Sequence, residues 1–357
     1  MKKIGLSLVA LAFALLLAEG LLRLLAPEQD IFHLEAGMIR LSADPDLRYE
    51  MTPNFRSPRG DVTINTHGFR ERDWSPEKPS NVNRIACIGD SIAFGMGAAQ
   101  EQTFSRYLEN VLNEQMTARN LPPSHEGSYE IASFGVPGFN ITQVARTLET
   151  RVPEFQPDLV LYLYCLNDLQ DYSRELENLL AGPGITASQR RWIERQWRQA
   201  RIHGPRSELV SRVRLRFAAS NREAAPADHS RDDMLQFLRG TGLEFYQTLY
   251  ADPIRLDRIR SGFARISAWS RENNTPVIVT LVPVRASMRR PGFEVFHALV
   301  TDLAGQAGLE TIDLLDVFRA HPGNPYEWLY ADPLHPNSAG YRLAAEKVAE
   351  ILYVPSH

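Results

Sequence analysis

From Arg84 onward, short apolar runs alternate with longer segments of helical periodicity, and this alternation limits the possible folds more than any other feature of the chain. Runs at 85–88, 129–133, 158–164, 276–282 and 309–314 read as strands. The third, Asp-Leu-Val-Leu-Tyr-Leu-Tyr, is apolar almost throughout, as expected of a strand covered on both faces of a parallel sheet. Helical stretches are expected at 103–116, 142–151, 256–271, 292–307 and 337–352.

This pattern predicts a three-layer α/β/α, doubly wound (flavodoxin-like) fold with a mostly parallel five-stranded sheet. The stretch at about 173–251 interrupts the alternation and reads as a helical insertion. It carries an arginine- and tryptophan-rich run at 189–198, which reads either as a solvated helix with its tryptophans packed inward or as a surface for a membrane or an acidic glycan. Residues 84–357 are therefore expected to form one domain, and the 357-residue chain, 44% hydrophobic, is long enough to bury its core.

Residues 27–83 are rich in proline and weakly periodic, so an extended lead-in is expected there. Within it, 62–70 reads as a strand ending in a glycine turn. Before it, Lys2 and Lys3 precede an uncharged apolar run at 4–18. A positive start followed by such a run is an export signal. Residues 1–26 are read as an uncleaved membrane anchor with the catalytic domain outside the cytoplasm (periplasmic or extracellular), although the run is shorter than the roughly 20 residues that span a bilayer. Cleavage after Ala18 and secretion is the alternative, and a buried amino-terminal helix is a third reading.

The net charge of −4 gives no basic field for nucleic acid. The two cysteines, Cys87 and Cys165, lie in apolar runs and match no metal-binding spacing; two buried free thiols are expected, with a disulfide as the alternative. No metal or nucleotide motif occurs, so no cofactor is expected.

Ligands of a doubly wound sheet bind at the carboxyl ends of its strands, so candidate residues are sought there. The first strand ends in Gly89-Asp90-Ser91, a turn that exposes a hydroxyl near backbone N–H groups suited to developing negative charge. The second ends in Ser133-Phe-Gly135-Val-Pro-Gly138, where glycine permits close backbone approach. The third ends in Cys165-Leu-Asn167-Asp168, and Asn167 offers two amide donors or a helix cap. Near the carboxyl terminus, Asp332-Pro-Leu-His335-Pro spaces a carboxylate so that it can fold back onto imidazole Nδ1.

Together these blocks resemble those of SGNH/GDSL-family serine hydrolases, of the membrane-anchored or exported bacterial type. The segment Asn65-Thr-His-Gly-Phe-Arg70 resembles one that precedes the serine block in such members. The resemblance implies Ser91 as nucleophile, His335 as base and Asp332 as its orienting acid. It implies an oxyanion hole from the N–H groups of Ser91 and Gly135 and the Asn167 amide. Two positions depart from the family pattern: Ser133 stands where asparagine is usual, and Cys165 where glycine is usual. The expected activity is a serine esterase acting on an acylated small molecule or glycan, such as an O-acetylated envelope or exported polysaccharide. A polysaccharide O-acetyltransferase using the same triad is the alternative. A non-catalytic carbohydrate-binding or scaffold subunit of an envelope assembly is the third reading, and partners in envelope polysaccharide machinery fit either role.

Overall fold

The computed structural model describes residues 38–44, 46–58, 60–118, 127–170 and 242–352. All of them belong to one compact unit. The amino-terminal segment read as an anchor, and nearly all of the expected insertion, lie outside the described residues. Among the described residues no helix is long and apolar enough to cross a membrane.

Strands β1 (Ile39–Leu41) and β2 (Tyr49–Met51) pair antiparallel ahead of the main sheet. The main sheet contains β3 (Val82–Gly89), β4 (Ser128–Gly135), β5 (Leu159–Tyr164), β6 (Val277–Leu281) and β7 (Glu310–Asp313) in the order β4-β3-β5-β6-β7. Every pairing in it is parallel. The chain enters mid-sheet at β3, runs to the edge at β4, then crosses back to β5, so strand order reverses between β3 and β5. That reversal opens a crevice above the two strands. Residues 85–89 of β3 and 160–164 of β5 are buried, as a sheet covered on both faces requires.

The helices are α1 (Ser91–Phe94), α2 (Phe104–Ala118), α3 (Ile141–Thr150), α4 (Leu243–Ala251), α5 (Pro253–Asn273), α6 (Glu294–Gln306), α7 (Leu315–Arg319), α8 (Pro325–Trp328) and α9 (Ser338–Leu352). They form two packed groups: α9 against α2 and α7, and α5 against α3, α4 and α6. Local chemistry sets several ends. Asn140 and Gln143 form a capping box on α3. Asp252 caps α5, with Pro253 in its first turn. Cys87 and Cys165 are both buried and free.

Of the stretch at 62–70, expected as a strand ending in a glycine turn, the turn is present, with Gly68 at φ 86°, but the strand is not, and only an isolated bridge joins Thr63 to Arg56. Asn65 is the cause. Its Oδ1 accepts from the N–H groups of His67 (3.0 Å) and Phe69 (2.9 Å). A side chain that satisfies local backbone donors competes directly with a strand ladder.

The lead-in lies against the sheet domain. Phe69 and Trp74 meet Phe134 and Phe155 edge-on, with ring centroids 4.8 to 6.1 Å apart. Such pairs contribute about 0.5–1.5 kcal/mol each beyond their buried area. Tyr49 donates its hydroxyl to the Pro137 carbonyl (2.8 Å), which ties β2 to the loop after β4.

Candidate active site

The carboxyl ends of β3 and β4 lie level, with Gly89 paired to Gly135, and β5 runs alongside with Leu163 paired to Gly89. Ser91 follows β3 directly and opens the one-turn helix α1, so helix begins here sooner than the sequence pattern indicated. Asp90 caps that helix, its Oδ1 accepting from the Ile92 N–H at 2.8 Å. The cap and the short helix leave little freedom to the Ser91 backbone.

His335 arrives on a tight loop. Ala331 and His335 are joined by a backbone hydrogen bond of 2.9 Å, as are Asn337 and Leu329. Asp332 Oδ1 accepts from the N–H groups of Leu334 and His335, both at 2.8 Å. Its other oxygen, Oδ2, lies 2.6 Å from His335 Nδ1, and His335 Nε2 lies 2.8 Å from Ser91 Oγ. The sequence spacing thus holds: one carboxylate both folds the loop and orients the ring.

Burial opposes charge on Asp332, but the His335 hydrogen bond and charge, with the two N–H donors, hold its carboxyl below the usual carboxylate range. An ionised Asp332 only accepts, so the Nδ1 proton lies between it and the ring, and Nε2 presents its lone pair to Ser91. Ser91 and His335 are 7% and 3% exposed, so this hydrogen bond is largely shielded from competition by water.

Asn167, after β5, reaches the same point through Asp90. Its Nδ2 donates to Asp90 Oδ2 at 3.2 Å, and Ser91 Oγ lies 3.2 Å from that same oxygen. The His335 contact is the shorter of the two available to the serine hydroxyl. Burial pushes the Asp90 carboxyl up, against the lowering effect of Ile92 N–H, His335, Asn167 and Ser91. Beneath it, burial and the neighbouring Asp90 push Asp168 well above the usual range, and Tyr162 donates its hydroxyl to Asp168 at 2.7 Å.

Gly135 is brought to the site by backbone contact. A Cβ there would lie 2.1 Å from the Phe94 nitrogen and 2.4 Å from the Ala93 carbonyl carbon, so only glycine lets β4 meet α1 this closely. The Ser133 hydroxyl donates to the Ala93 carbonyl (2.7 Å), so the serine at this departure from the family pattern braces α1.

The structure therefore joins Ser91, His335 and Asp332 by direct hydrogen bonds, links Asn167 through Asp90, and sets Gly135 against α1. The link through Asp90 is a contact that sequence reasoning missed. Its signal was present: an aspartate at a strand–helix junction, one residue before a helical serine, is a cap.

A family model of GDSL-like lipases and acylhydrolases matches residues 87–343, which carry all of these groups. No curated protein matches the sequence. Among solved structures, the chain is similar to a lipase/acylhydrolase from Enterococcus faecalis at 16% identity, over 76% of this chain and 95% of that one, with a TM-score of 0.40. It is also similar to the acetyl xylan esterase AlAXEase at 14% identity, over 75% and 99% of the two chains, with a TM-score of 0.39. With the family model covering most of its length, this chain belongs to the GDSL-like lipase/acylhydrolase family and is an ester-hydrolysing enzyme.

Proposed function

We propose that the protein is a serine esterase in which Ser91 is the nucleophile, His335 the general base and Asp332 the group that orients it. The hydrogen-bonded line Asp332–His335–Ser91, at 2.6 and 2.8 Å, carries this reading. His335 Nε2 takes the hydroxyl proton as Ser91 Oγ attacks the ester carbonyl. Asp332 stabilises the imidazolium that results. The oxyanion is received by the N–H groups of Ser91 and Gly135 and by Asn167 Nδ2, which turns from Asp90 toward the developing charge. The protonated His335 returns its proton to the leaving alcohol. Water, deprotonated by the same ring, then releases the acid from Ser91.

The substrate class proposed is an O-acylated glycan of the cell envelope or of an exported polysaccharide. Support comes from the amino-terminal pattern, in which two lysines precede an uncharged apolar run and point to export. On this reading the catalytic unit works outside the cytoplasm, held at the membrane by its first residues.

The test uses the full chain and a fluorophosphonate probe, which reacts with activated serines. Labelling of the wild type that is lost in Ser91→Ala is expected; no labelling of folded wild type would overturn the nucleophile. Incubation with an acyl donor, with and without glycan, separates two fates of the acyl group. Free acid in both arms is expected, whereas acyl groups accumulating on sugar would replace hydrolysis by transfer.

A further inference from the structure

Arg70 lies in the lead-in, outside the matched residues 87–343, and is 4% exposed. Nearly all of its donors are spent on the segment that follows Ser91. Nη1 donates to the carbonyls of Gly95 (2.7 Å) and Phe94 (3.4 Å). Nη2 donates to the carbonyls of Ala98 (2.8 Å) and Asp61 (3.2 Å), and Nε to Gln100 Oε1 (3.2 Å). The guanidinium also sits 5.1 Å from the centroid of the Phe94 ring. Burial lowers its pKa to about 10, so it remains charged at neutral pH.

Except for that of Asp61, the carbonyls it holds belong to the end of α1 and the loop after it. The last carbonyls of so short a helix have no helical partner, and a buried one must find a donor elsewhere. Arg70 supplies that donor with a rigid, planar fork. The same loop is the seat of His335. A Cβ on Gly97 would lie 2.7 Å from the Pro336 carbonyl oxygen and 3.3 Å from His335 Cβ. Tyr341 adds a hydrogen bond to the Met96 carbonyl at 2.8 Å. One cation thus fixes the loop that carries Ser91 at one end and supports the His335 loop at the other.

We propose that Arg70 is a positioning residue for the reaction: by clamping the Phe94, Gly95 and Ala98 carbonyls it sets the Ser91–His335 distance. The proposal rests on Ser91 being the nucleophile. Lysine at this position keeps the charge but loses the fork, so the Phe94 and Ala98 carbonyls lose this donor, Gly95 keeps only the Ala98 N–H (3.3 Å), and the loop relaxes. A displacement near 1 Å at reacting groups costs about 10²-fold in rate.

Arg84 provides the control. It is 1% exposed and equally bound, donating to Glu130 Oε2 (2.7 and 3.0 Å) and the Phe155 carbonyl (2.7 Å), but it sits toward the start of β3, away from Ser91. Turnover of p-nitrophenyl acetate and thermal midpoints are measured on the full chain for Arg70→Lys, Arg84→Lys and Ser91→Ala. Arg70→Lys is expected to lower kcat about 10²-fold with KM changed less than about twofold, and Arg84→Lys to lower the midpoint while keeping kcat. If Arg70→Lys does not fold, Arg70→Gln, which retains an amide donor, is measured in its place. Wild-type kcat in the Arg70 variant, or an equal kcat loss in Arg84→Lys, overturns the proposal. Activity retained in Ser91→Ala overturns the nucleophile itself; loss there with an unaffected Arg70 variant overturns only the role of Arg70.

Discussion

Two aspartate–histidine pairs among the described residues are alike at Nδ1 and unlike at Nε2. His335 bonds Asp332 at 2.6 Å, and His297, on α6, bonds Asp313 at the end of β7 at 2.7 Å. Both imidazoles are buried, at 3% and 1% exposure, and both use Nδ1. Each carboxylate also accepts backbone N–H groups, Asp332 from two residues and Asp313 from Leu315. Burial opposes charge on Asp313, yet the His297 hydrogen bond and charge hold its carboxyl below the usual range, as His335 does for Asp332. The difference is at Nε2. In His335 it faces Ser91 Oγ, while in His297 it has no hydrogen-bond partner among the described residues. An oriented imidazole is therefore no catalytic device by itself; here it fastens α6 to β7 in one place and meets a hydroxyl in the other.

The largest expected effect comes from removing the element that distinguishes the pairs. Ser91→Ala and His335→Ala should each lower esterase kcat by about 10⁶-fold. His297→Gln should leave kcat within about twofold; a loss comparable to that of His335→Ala would erase the distinction. Next in size, Asp332→Asn should lower kcat about 10⁴-fold, because the amide no longer enforces the tautomer that presents Nε2 as an acceptor. Asp313→Asn, assayed in parallel, should turn over normally. Asn167→Ala should cost about 10²–10³-fold in kcat, the loss typical of one oxyanion donor. A wild-type rate there would show that the amide serves only to hold Asp90.

The smallest effect is one of stability. Asp313→Asn should lower the unfolding free energy at neutral pH by about 1 kcal/mol in a urea titration, the typical net value of one hydrogen bond. The sign of its pH dependence follows from the direction of the shift. A carboxyl depressed in the folded state contributes fully above its unfolded pKa of about 3.9, and that contribution is lost as pH falls through the lower folded value. Wild type and Asp313→Asn should therefore converge in stability in strong acid. A difference that persisted there would mean the pair stabilises by packing rather than by charge.

The sheet was legible in the sequence because its strands are apolar runs buried on both faces, and its helices keep their period; Pro253 and Asp252 moved the start of α5 three residues ahead of the apolar pattern. The strand-end residues Ser91, Gly135 and Asn167 were legible because a doubly wound sheet collects its ligands at one edge. The contacts of Arg70 and the link from Asp90 to Asn167 were not legible, although the capping position of Asp90 was. The partners of Arg70 are mostly backbone carbonyls, which every residue has and no sequence pattern marks. Asp90 and Asn167 are far apart in the chain and meet only because β3 and β5 are neighbours. The strand expected before the Gly68 turn is absent because Asn65 satisfies the local backbone donors instead.

By itself, the sequence determined which chemistries were available and in what order: a hydroxyl after one strand, an amide after another, and a carboxylate three residues before an imidazole. It also placed Asp332 and His335 three residues apart, within reach of each other on one turn. Only the tertiary structure decided which histidine meets a hydroxyl. Hydrogen bonding falls off within tenths of an ångström, and the 2.8 Å between His335 and Ser91 is set by groups remote in the chain, among them the Gly97 contact with the His335 loop.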